Sequence, residues 1–179
     1  PPIKFGRFGE VAVYQPAGTP GGVAILVSGE RGWNAASDAH AAALVARGAV
    51  VIGVSLPRYH EGFASKHGLC ALLGADFESL SHSLQRQLQL ADYHVPVLIS
   101  EQQGATLVRG AFATAPFDTF AGAVALQPAE LAGFPCAAQA NNQMAPGLQR
   151  AKIVTLNGAA AEGLAGAYAQ IVAQNQPPK

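Results

Sequence analysis

The chain has 179 residues, and half of them are hydrophobic, which suits one domain with a sizeable core. With 11 basic and 11 acidic residues, and only 12% of residues charged, no charge excess is present to attract phosphate backbones, so nucleic acid is not an expected partner. No apolar stretch approaches the roughly 20 residues that a membrane-spanning helix needs.

The two cysteines, Cys70 and Cys136, allow one disulfide at most. Their separation fits no zinc-binding spacing, and the five scattered histidines supply no second pair of ligands. Two interpretations stay open: a bridge between the cysteines, or two small buried apolar side chains. We expect no metal and no cofactor.

The first third of the chain predicts three strands and one helix. Residues 10–16 alternate between polar and apolar side chains, which is typical of a half-exposed strand at a sheet edge. Residues 23–27 and 49–56 are continuously apolar, which favours strands buried on both faces of a parallel sheet. Between these two strands, either Ser37 or Asp38 can cap a helix.

The middle of the chain predicts a loop followed by a helix. Residues 58–68 are aromatic and polar without a period, so we expect a loop there. A helix capped by Asp76 then carries an apolar stripe that should pack on the sheet: Phe77, Leu80, Leu84 and Leu88.

The last third predicts two strands, at residues 120–126 and 152–156, and a final helix at 164–173. Residues 129–149 show little periodicity and should form loop or short helical turns. Strands that alternate with helices in this way predict an α/β fold, with a mostly parallel sheet covered by helices on both faces. We expect residues 1–179 to form a single domain.

The candidate chemistry lies in residues 95–108. An apolar run typical of a buried strand ends in polar residues and Gly104, and helical spacing follows, which predicts a strand-to-helix elbow. The elbow of α/β-hydrolases reads G-x-S-x-G, whereas here Ser100 stands at the first glycine and Gln102 at the nucleophile. Glutamine has no nucleophilic oxygen that a base can activate, so this elbow is degenerate and predicts no catalytic residue.

The remaining members of a catalytic triad are not found in the expected order. Histidines 40, 60, 67, 82 and 94 all precede the elbow, whereas a triad histidine follows the last strand. Glu162 is the only acid after Leu156, and without a base to orient it has no triad role. Ser100 should still lie on the strand, which argues against a shifted nucleophile.

Other polar side chains near the elbow allow ligand binding. Glu101 beside Gln102 and Gln103 could bind a cation or an amine, although a solvated carboxylate at the strand end is the favoured interpretation. Tyr59 follows the end of a strand, where open parallel sheets bind ligands, and could line a pocket with Trp33 and Gln102. The favoured alternative is a surface loop whose tyrosine packs inward.

Four segments together resemble the bacterial VirJ/AcvB virulence proteins, a periplasmic group with an α/β-hydrolase-like fold. They are residues 28–33 (SGERGW), 76–81 (DFESLS), 104–108 (GATLV) and 115–122, where A-P precedes T-F-A-G. The family pattern reads S-G-D-G-G-W in the first loop, G-Y-S-x-G-A-T-L at the elbow and A-P-x-x-T-F-x-G after the elbow helix. The resemblance covers roughly residues 23–136.

The resemblance implies a periplasmic virulence factor. Larger AcvB-type members are similar to two such domains in tandem, and this chain resembles the first, so we expect a fragment of a longer protein. Relatives are associated with hydrolysis of aminoacylated phosphatidylglycerol, hence lipid homeostasis, and with type IV secretion. The implied partners are a C-terminal hydrolase domain of the same chain, a membrane phospholipid headgroup or a secretion-system protein.

The chain departs from the family pattern in the first loop as well as at the elbow, because Glu30 and Arg31 replace aspartate and glycine. Replacing that glycine by arginine fills space where backbone might approach an oxyanion. The candidate ligand-binding residues are Glu30, Arg31, Gly32, Trp33, Tyr59, Gln102 and Gln103.

The sequence therefore predicts a non-catalytic, degenerate hydrolase-like domain, a pseudoenzyme. It would bind an aminoacyl-phospholipid or a partner protein and assist a neighbouring catalytic domain. The alternative is an active serine-type hydrolase, an aminoacyl-phosphatidylglycerol hydrolase completed by residues outside this chain. A third possibility is purely structural packing against a partner domain.

Overall fold

The computed structural model describes residues 2–64 and 69–176, and within them seven strands form one mixed sheet in the order β1-β2-β4-β3-β5-β6-β7. The strands are β1 Ile3–Phe5, β2 Gly9–Tyr14, β3 Gly22–Val27, β4 Ala49–Val54, β5 Val97–Glu101, β6 Gly122–Leu126 and β7 Ile153–Leu156. The helices of the same ranges are α1 Ala35–Val45, α2 Leu56–Ala64, α3 Leu73–Gln87, α4 Gly104–Thr114, α5 Ala137–Ala140, α6 Pro146–Arg150 and α7 Ala161–Gln174. No helix of the described residues is both long and apolar enough to cross a bilayer.

The five neighbouring strands β4, β3, β5, β6 and β7 are all parallel. β2 is antiparallel to β4, and β1 is antiparallel to β2. The predicted mostly parallel sheet is confirmed. The predicted edge position of the strand at residues 10–16 is wrong, because β1 pairs outside β2, with Ile3 opposite Val11. β1 has only three residues, too few for an alternating pattern to be recognised.

Two hydrophobic cores cover the two faces of the sheet. One lies under α2, α3 and α4 and includes Phe77 and Leu107, and the other lies under α1 and α7 and includes Leu44 and Tyr168. Neighbouring strand residues alternate between these cores, as a strand buried on both faces requires. The prediction of helices on both faces is confirmed.

The predicted loop at residues 58–68 is wrong where the structure describes it, since α2 runs from Leu56 to Ala64. Leu56, Tyr59 and Phe63 are all buried and lie on one side of this helix. Pro57, expected to close the preceding strand, instead lies in the first turn of α2, where the missing N–H costs nothing, and β4 already ends at Val54. Residues 65–68 lie outside the described residues.

The predicted helix caps are corrected. Asn34 caps α1, because its side-chain oxygen accepts a hydrogen bond from the Ala36 N–H, and neither Ser37 nor Asp38 is the cap. Asp76 lies in the first turn of α3, which begins three residues earlier at Leu73. The apolar stripe is confirmed, since Phe77, Leu80 and Leu84 are fully buried and Leu88 packs against the same core.

The C-terminal third matches the predicted elements. The stretch from 129 to 149 holds only loops, turns and the short helices α5 and α6, and the last strand and helix fall where the pattern placed them. Cys70 and Cys136 form a disulfide, the first of the two interpretations left open. The bridge ties the turn before α3 to the start of α5.

Candidate functional site at the elbow

The turn between β5 and α4 is sharp and is held by hydrogen bonds. Gln102 lies at φ +45°, in the left-handed region that residues with a side chain rarely adopt. Its N–H donates to the Leu126 carbonyl (2.9 Å), and its own carbonyl accepts from Ala105 and Ala129 (both 3.1 Å). Contacts on both sides therefore fix a strained residue at the carboxyl edge of the sheet.

The elbow packs tightly against the end of β3. A Cβ atom at Gly104 would lie 2.8 Å from the Ser28 carbonyl oxygen, so only glycine fits at the start of α4. A Cβ atom at Gly29 would lie 2.9 Å from Gln102 Oε1 and 3.4 Å from Gln103 Oε1. Both glutamine side chains therefore fold over Gly29, in the loop after β3.

Glu101 is buried under the elbow, with an exposed fraction of 7%. Its two carboxylate oxygens contact α1: Ser37 Oγ donates to Oε2 (2.8 Å), and His40 Nδ1 lies 2.6 Å from Oε1. The favoured expectation of a solvated carboxylate is corrected, because both oxygens have partners inside the protein. Ser37 and His40 lie three residues apart on the buried side of α1, and two polar residues with that spacing are the signal that could have revealed the contact.

His40 faces acceptors at both ring nitrogens, since Nε2 lies 3.0 Å from the Ala159 carbonyl oxygen. The Glu101 carboxylate and the Ala159 carbonyl both offer acceptor oxygens, an arrangement that favours a ring protonated on both nitrogens. Hydrogen bonding to Glu101 raises the pKa of His40, against the opposing effect of burial. His40 thus links α1, β5 and the loop after β7, and both of its ring nitrogens are engaged.

A small cleft of about 190 Å³ opens beside the elbow. Its polar lining includes Arg31, Asn34, His40, Glu101, Gln102 and Gln127. Arg31 is exposed, makes no ion pair with any described residue, and also lines a neighbouring cleft of about 440 Å³. The free positive charge therefore lies between two clefts at the carboxyl edge of the sheet.

The described residues hold no group of three or more histidine, cysteine, aspartate or glutamate side chains that could bind a metal ion.

The fold is similar to those of several solved proteins. TT1662 from Thermus thermophilus matches with a TM-score of 0.57 and 13% identity, over 99% of this chain and 84% of that one. LpqC, a poly(3-hydroxybutyrate) depolymerase from Bordetella parapertussis, matches with a TM-score of 0.55 and 12% identity, over 95% of this chain and 85% of that one. A thermostable carboxyl esterase from Bacillus coagulans matches with a TM-score of 0.54 and 17% identity, over 71% of this chain and 44% of that one.

The chain has the α/β-hydrolase fold. At these identities the likeness shows the fold alone, and the chain spans less than half the length of the B. coagulans esterase. No family model and no curated protein matches the sequence.

Within the α/β-hydrolase fold, the elbow and the loop after β3 normally supply the nucleophile and the oxyanion donors. Here Gln102 occupies the nucleophile position, and the Glu30 N–H already donates to Gln103 Oε1 (3.4 Å). The Glu30 N–H lies in the loop from which α/β-hydrolases take one oxyanion donor, and here it points at the Gln103 side chain. Ser100 lies on β5 with an exposed fraction of 1%, away from the solvent-facing turn.

The structure brings most of the sequence-predicted ligand residues together. Arg31 and Gln102 line the smaller cleft, and Gly32 and Trp33 line the larger one with Arg31. Glu30 and Gln103 contact each other but line neither cleft. Asn34, His40 and Gln127 were not predicted, because Gln127 follows a distant strand, β6, and Asn34 and His40 on α1 belong to no ligand-binding motif.

Two predicted residues have structural contacts. The assignment of Tyr59 as a ligand-binding residue is wrong, because it lies in the core with an exposed fraction of 0%, donates to Asp76 and lines neither cleft. The favoured alternative of a tyrosine that packs inward is confirmed, although on a helix and not on a loop. The Trp33 ring lies over Gly53, and its Nε1 donates to Asp38 Oδ1 (2.9 Å). These contacts fix the indole as one wall of the larger cleft.

Proposed function

We propose that this domain binds a ligand at the elbow cleft and does not cleave it. The observation that carries the proposal is the identity of the residue at the turn: Gln102 holds the strained φ of a nucleophile but offers an amide. His40 lines the same cleft, but both of its ring nitrogens are engaged, one by Glu101 and one by the Ala159 carbonyl. Among the residues that the structure describes at this cleft, neither half of a nucleophile-base pair is thus in place.

The lining of the cleft favours an anionic, acceptor-rich ligand. Arg31 supplies a permanent positive charge and a planar set of donors suited to a carboxylate or phosphate. Amides from Asn34, Gln102 and Gln127 supply further neutral donors around it. The charges of His40 and Glu101 offset each other, so Arg31 gives the lining of this cleft its net positive charge.

We further propose a VirJ/AcvB-type role: a periplasmic domain that holds an aminoacyl-phospholipid headgroup, or a secretion-system protein, for a neighbouring catalytic domain. The motifs at residues 28–33, 76–81 and 104–108 support this assignment. The disulfide is also consistent with an oxidising compartment such as the periplasm.

Binding is tested with vesicles of phosphatidylcholine that contain either lysyl-phosphatidylglycerol or phosphatidylglycerol. We expect the chain to co-sediment with anionic or aminoacylated vesicles, and Arg31→Ala to weaken this at least about tenfold. Arg47→Ala, which removes another exposed arginine, is the matched control and should bind as the unchanged chain does. Equal binding by the Arg31 and Arg47 variants would contradict the proposal.

Catalysis is tested with a p-nitrophenyl ester. We expect no turnover by the unchanged chain and none by Gln102→Ser, because His40, the imidazole that lines the cleft, already has both ring nitrogens engaged. Turnover by the unchanged chain that Gln102→Ala abolishes would instead support the alternative, an active hydrolase with a non-standard centre.

A further inference from the structure

Two clefts lie at the amino edge of the sheet, on the opposite side of the molecule from the elbow. They have volumes of about 180 and 410 Å³, and they adjoin, because both are lined by Asp118, Phe120, Ala121 and Asn175. Their walls come from the segments that enter β3, β5, β6 and β7 and from the end of α7. The larger volume lies in the range of small-molecule sites, so the two clefts together can hold one small ligand.

The larger cleft has an apolar wall. Val95, Phe120 and Val172 line it, and so does the ring of Tyr93. Val95 is 43% exposed and Tyr93 is 42% exposed, which is unusual for large hydrophobic side chains. Exposed hydrophobic side chains gathered around a cleft are typical of a site that buries the apolar part of a ligand.

The smaller cleft carries two positive charges, Arg150 and Lys152. The Arg150 guanidinium lies 5.0 Å from the centroid of the Phe117 ring, and this contact orients it in the cleft wall. The Lys152 ammonium donates to Gln174 Oε1 (3.3 Å) and has two further donors. Neither cation forms an ion pair with any residue that the structure describes. Two unpaired cations in one cleft favour an anionic group such as a carboxylate.

The junction between the two clefts offers hydrogen-bond acceptors. The Asn175 amide nitrogen donates to the carbonyls of Ala121 and Ile171 (3.1 and 2.8 Å), so its Oδ1 is left as an acceptor. The Asp118 carboxylate has no ion-pair partner in the described part of the chain, although Arg150 lines the same cleft. A carboxylate and an amide oxygen that line the same two clefts are suited to a protonated amine.

We propose that the amino-edge clefts bind a free α-amino acid with an apolar side chain. Its carboxylate contacts Arg150 and Lys152, its ammonium contacts Asp118 and Asn175 Oδ1, and its side chain occupies the larger cleft. An α-amino acid carries an anion, a cation and an apolar group on one carbon atom, and the clefts present the complement of each around their junction. A carboxylic acid without the amine would leave Asp118 unpaired, and an amine alone would leave both cations unpaired. This site does not depend on the ligand proposed for the elbow cleft.

The ligand class is tested by isothermal titration calorimetry of the full chain with three probes that share a phenyl ring. L-Phenylalanine has all three groups, 3-phenylpropanoate lacks the ammonium, and 2-phenylethylamine lacks the carboxylate. We expect L-phenylalanine to bind, and the other two to bind at least about tenfold more weakly, because each leaves charged groups of the clefts without a partner. Absence of saturable L-phenylalanine binding below about 10 mM, or equal binding of either other probe, would overturn the proposal.

The location is tested by NMR on the same samples. Trp33 is the sole tryptophan and lines a cleft at the carboxyl edge, so its indole N–H reports on that edge. L-Phenylalanine should shift the ring signals of Tyr93 and the methyl signals of Val172, and should leave the indole signal unchanged. A shift of the indole signal without shifts of Tyr93 and Val172 would place the amino acid at the carboxyl edge and overturn the proposal. That result would leave the proposed elbow site standing.

Lys152→Met tests the carboxylate contact and should weaken L-phenylalanine binding at least about tenfold. Lys4→Met is the matched control, because it removes an exposed lysine on β1, at the other end of the sheet, and should bind as the unchanged chain does. Equal effects of the two substitutions would contradict the assigned contact.

Asp118→Asn tests the ammonium contact. Asparagine also tolerates the φ of +65° at this position, so the turn should be kept. We expect this variant to lose the preference for L-phenylalanine over 3-phenylpropanoate, since only the first probe carries an ammonium. A variant that keeps the full preference would overturn the proposal.

Discussion

His40 Nδ1 lies 2.6 Å from Glu101 Oε1, although the two residues are 61 positions apart in the chain. Their side chains are almost fully buried, with exposed fractions of 6% and 10%. The contact joins α1 to the residue immediately before the elbow, and His40 extends it to the Ala159 carbonyl in the loop after β7. Three elements at the carboxyl edge of the sheet are thereby held in one arrangement.

Glu101→Gln should destabilise the fold, because it removes the charge that His40 is paired with while keeping the shape of the side chain. We expect a loss of about 2–3 kcal/mol in the free energy of unfolding, measured by urea denaturation. Glu78→Gln is the matched control, since Glu78 faces His82 at 4.0 Å in an exposed pair, and it should cost less than about 0.5 kcal/mol. Equal losses in the free energy of unfolding would show that the buried pair contributes no more to stability than the exposed pair.

The raised pKa of His40 predicts that stability depends on pH. A group whose pKa is higher in the folded state stabilises the fold fully below its unfolded value, about 6.5 for histidine. This contribution is lost as the pH rises through the folded pKa. The free energy of unfolding should therefore fall as the pH rises from about 6.5 through the raised pKa of folded His40.

His40→Asn tests this assignment, because the variant has no group that titrates at that position. Unfolding free energies of the unchanged chain and the variant, measured from pH about 6 upwards, should converge as the pH rises. A constant difference between them across the window would assign the pH dependence to other groups.

Gln102→Gly should stabilise the chain. Glycine adopts φ +45° without the steric cost that a side chain incurs, and we expect a gain of about 1 kcal/mol in the free energy of unfolding. Gln103→Gly is the control, because Gln103 is the N-cap of α4 at φ −65°, where glycine relieves no left-handed strain, and there we expect a change of less than about 0.5 kcal/mol. A gain in thermal unfolding confined to position 102 would confirm that Gln102 stores strain, and equal effects of the two substitutions would contradict it.

The sequence predicted the sheet because its central strands are continuous apolar runs. Residues 23–27 and 97–99 lie in strands buried on both faces, and the helical spacing after Gly104 revealed the elbow. The α2 helix was missed because its buried residues, Leu56, Tyr59 and Phe63, are spread among polar ones in only two and a half turns. Helical periodicity needs a longer segment to stand out.

The site was predicted only where local sequence determines it. Gln102 was found because the elbow is a short, contiguous pattern, and Arg31 because it replaces a loop glycine within a motif. The spacing of Ser37 and His40 marks a polar site on α1, but their partner Glu101 is 61 positions from His40 and no local pattern identifies it. The inward packing of Tyr59 was the favoured interpretation, whereas the helix that carries it was missed.

The disulfide should stabilise the fold, because it lowers the conformational entropy of the unfolded chain. Cys70 and Cys136 are 66 positions apart, and closing a loop of that length is expected to contribute about 4 kcal/mol through chain entropy. Cys136 is fully buried, so its replacement by serine also places a hydroxyl in the core beside α5. For this reason the effect is best measured by reduction of the unchanged chain as well as by substitution.

Urea denaturation with and without dithiothreitol should show the reduced chain to be less stable by about 3–4 kcal/mol. Reductant should have no effect on the Cys70→Ser/Cys136→Ser variant, which controls for any action of dithiothreitol elsewhere. Hydrogen exchange in the reduced chain should increase first in the segment after β6, because α5 then loses its covalent tie to the turn before α3. Unchanged stability on reduction would mean that packing of α5 on α4 alone holds this segment in place.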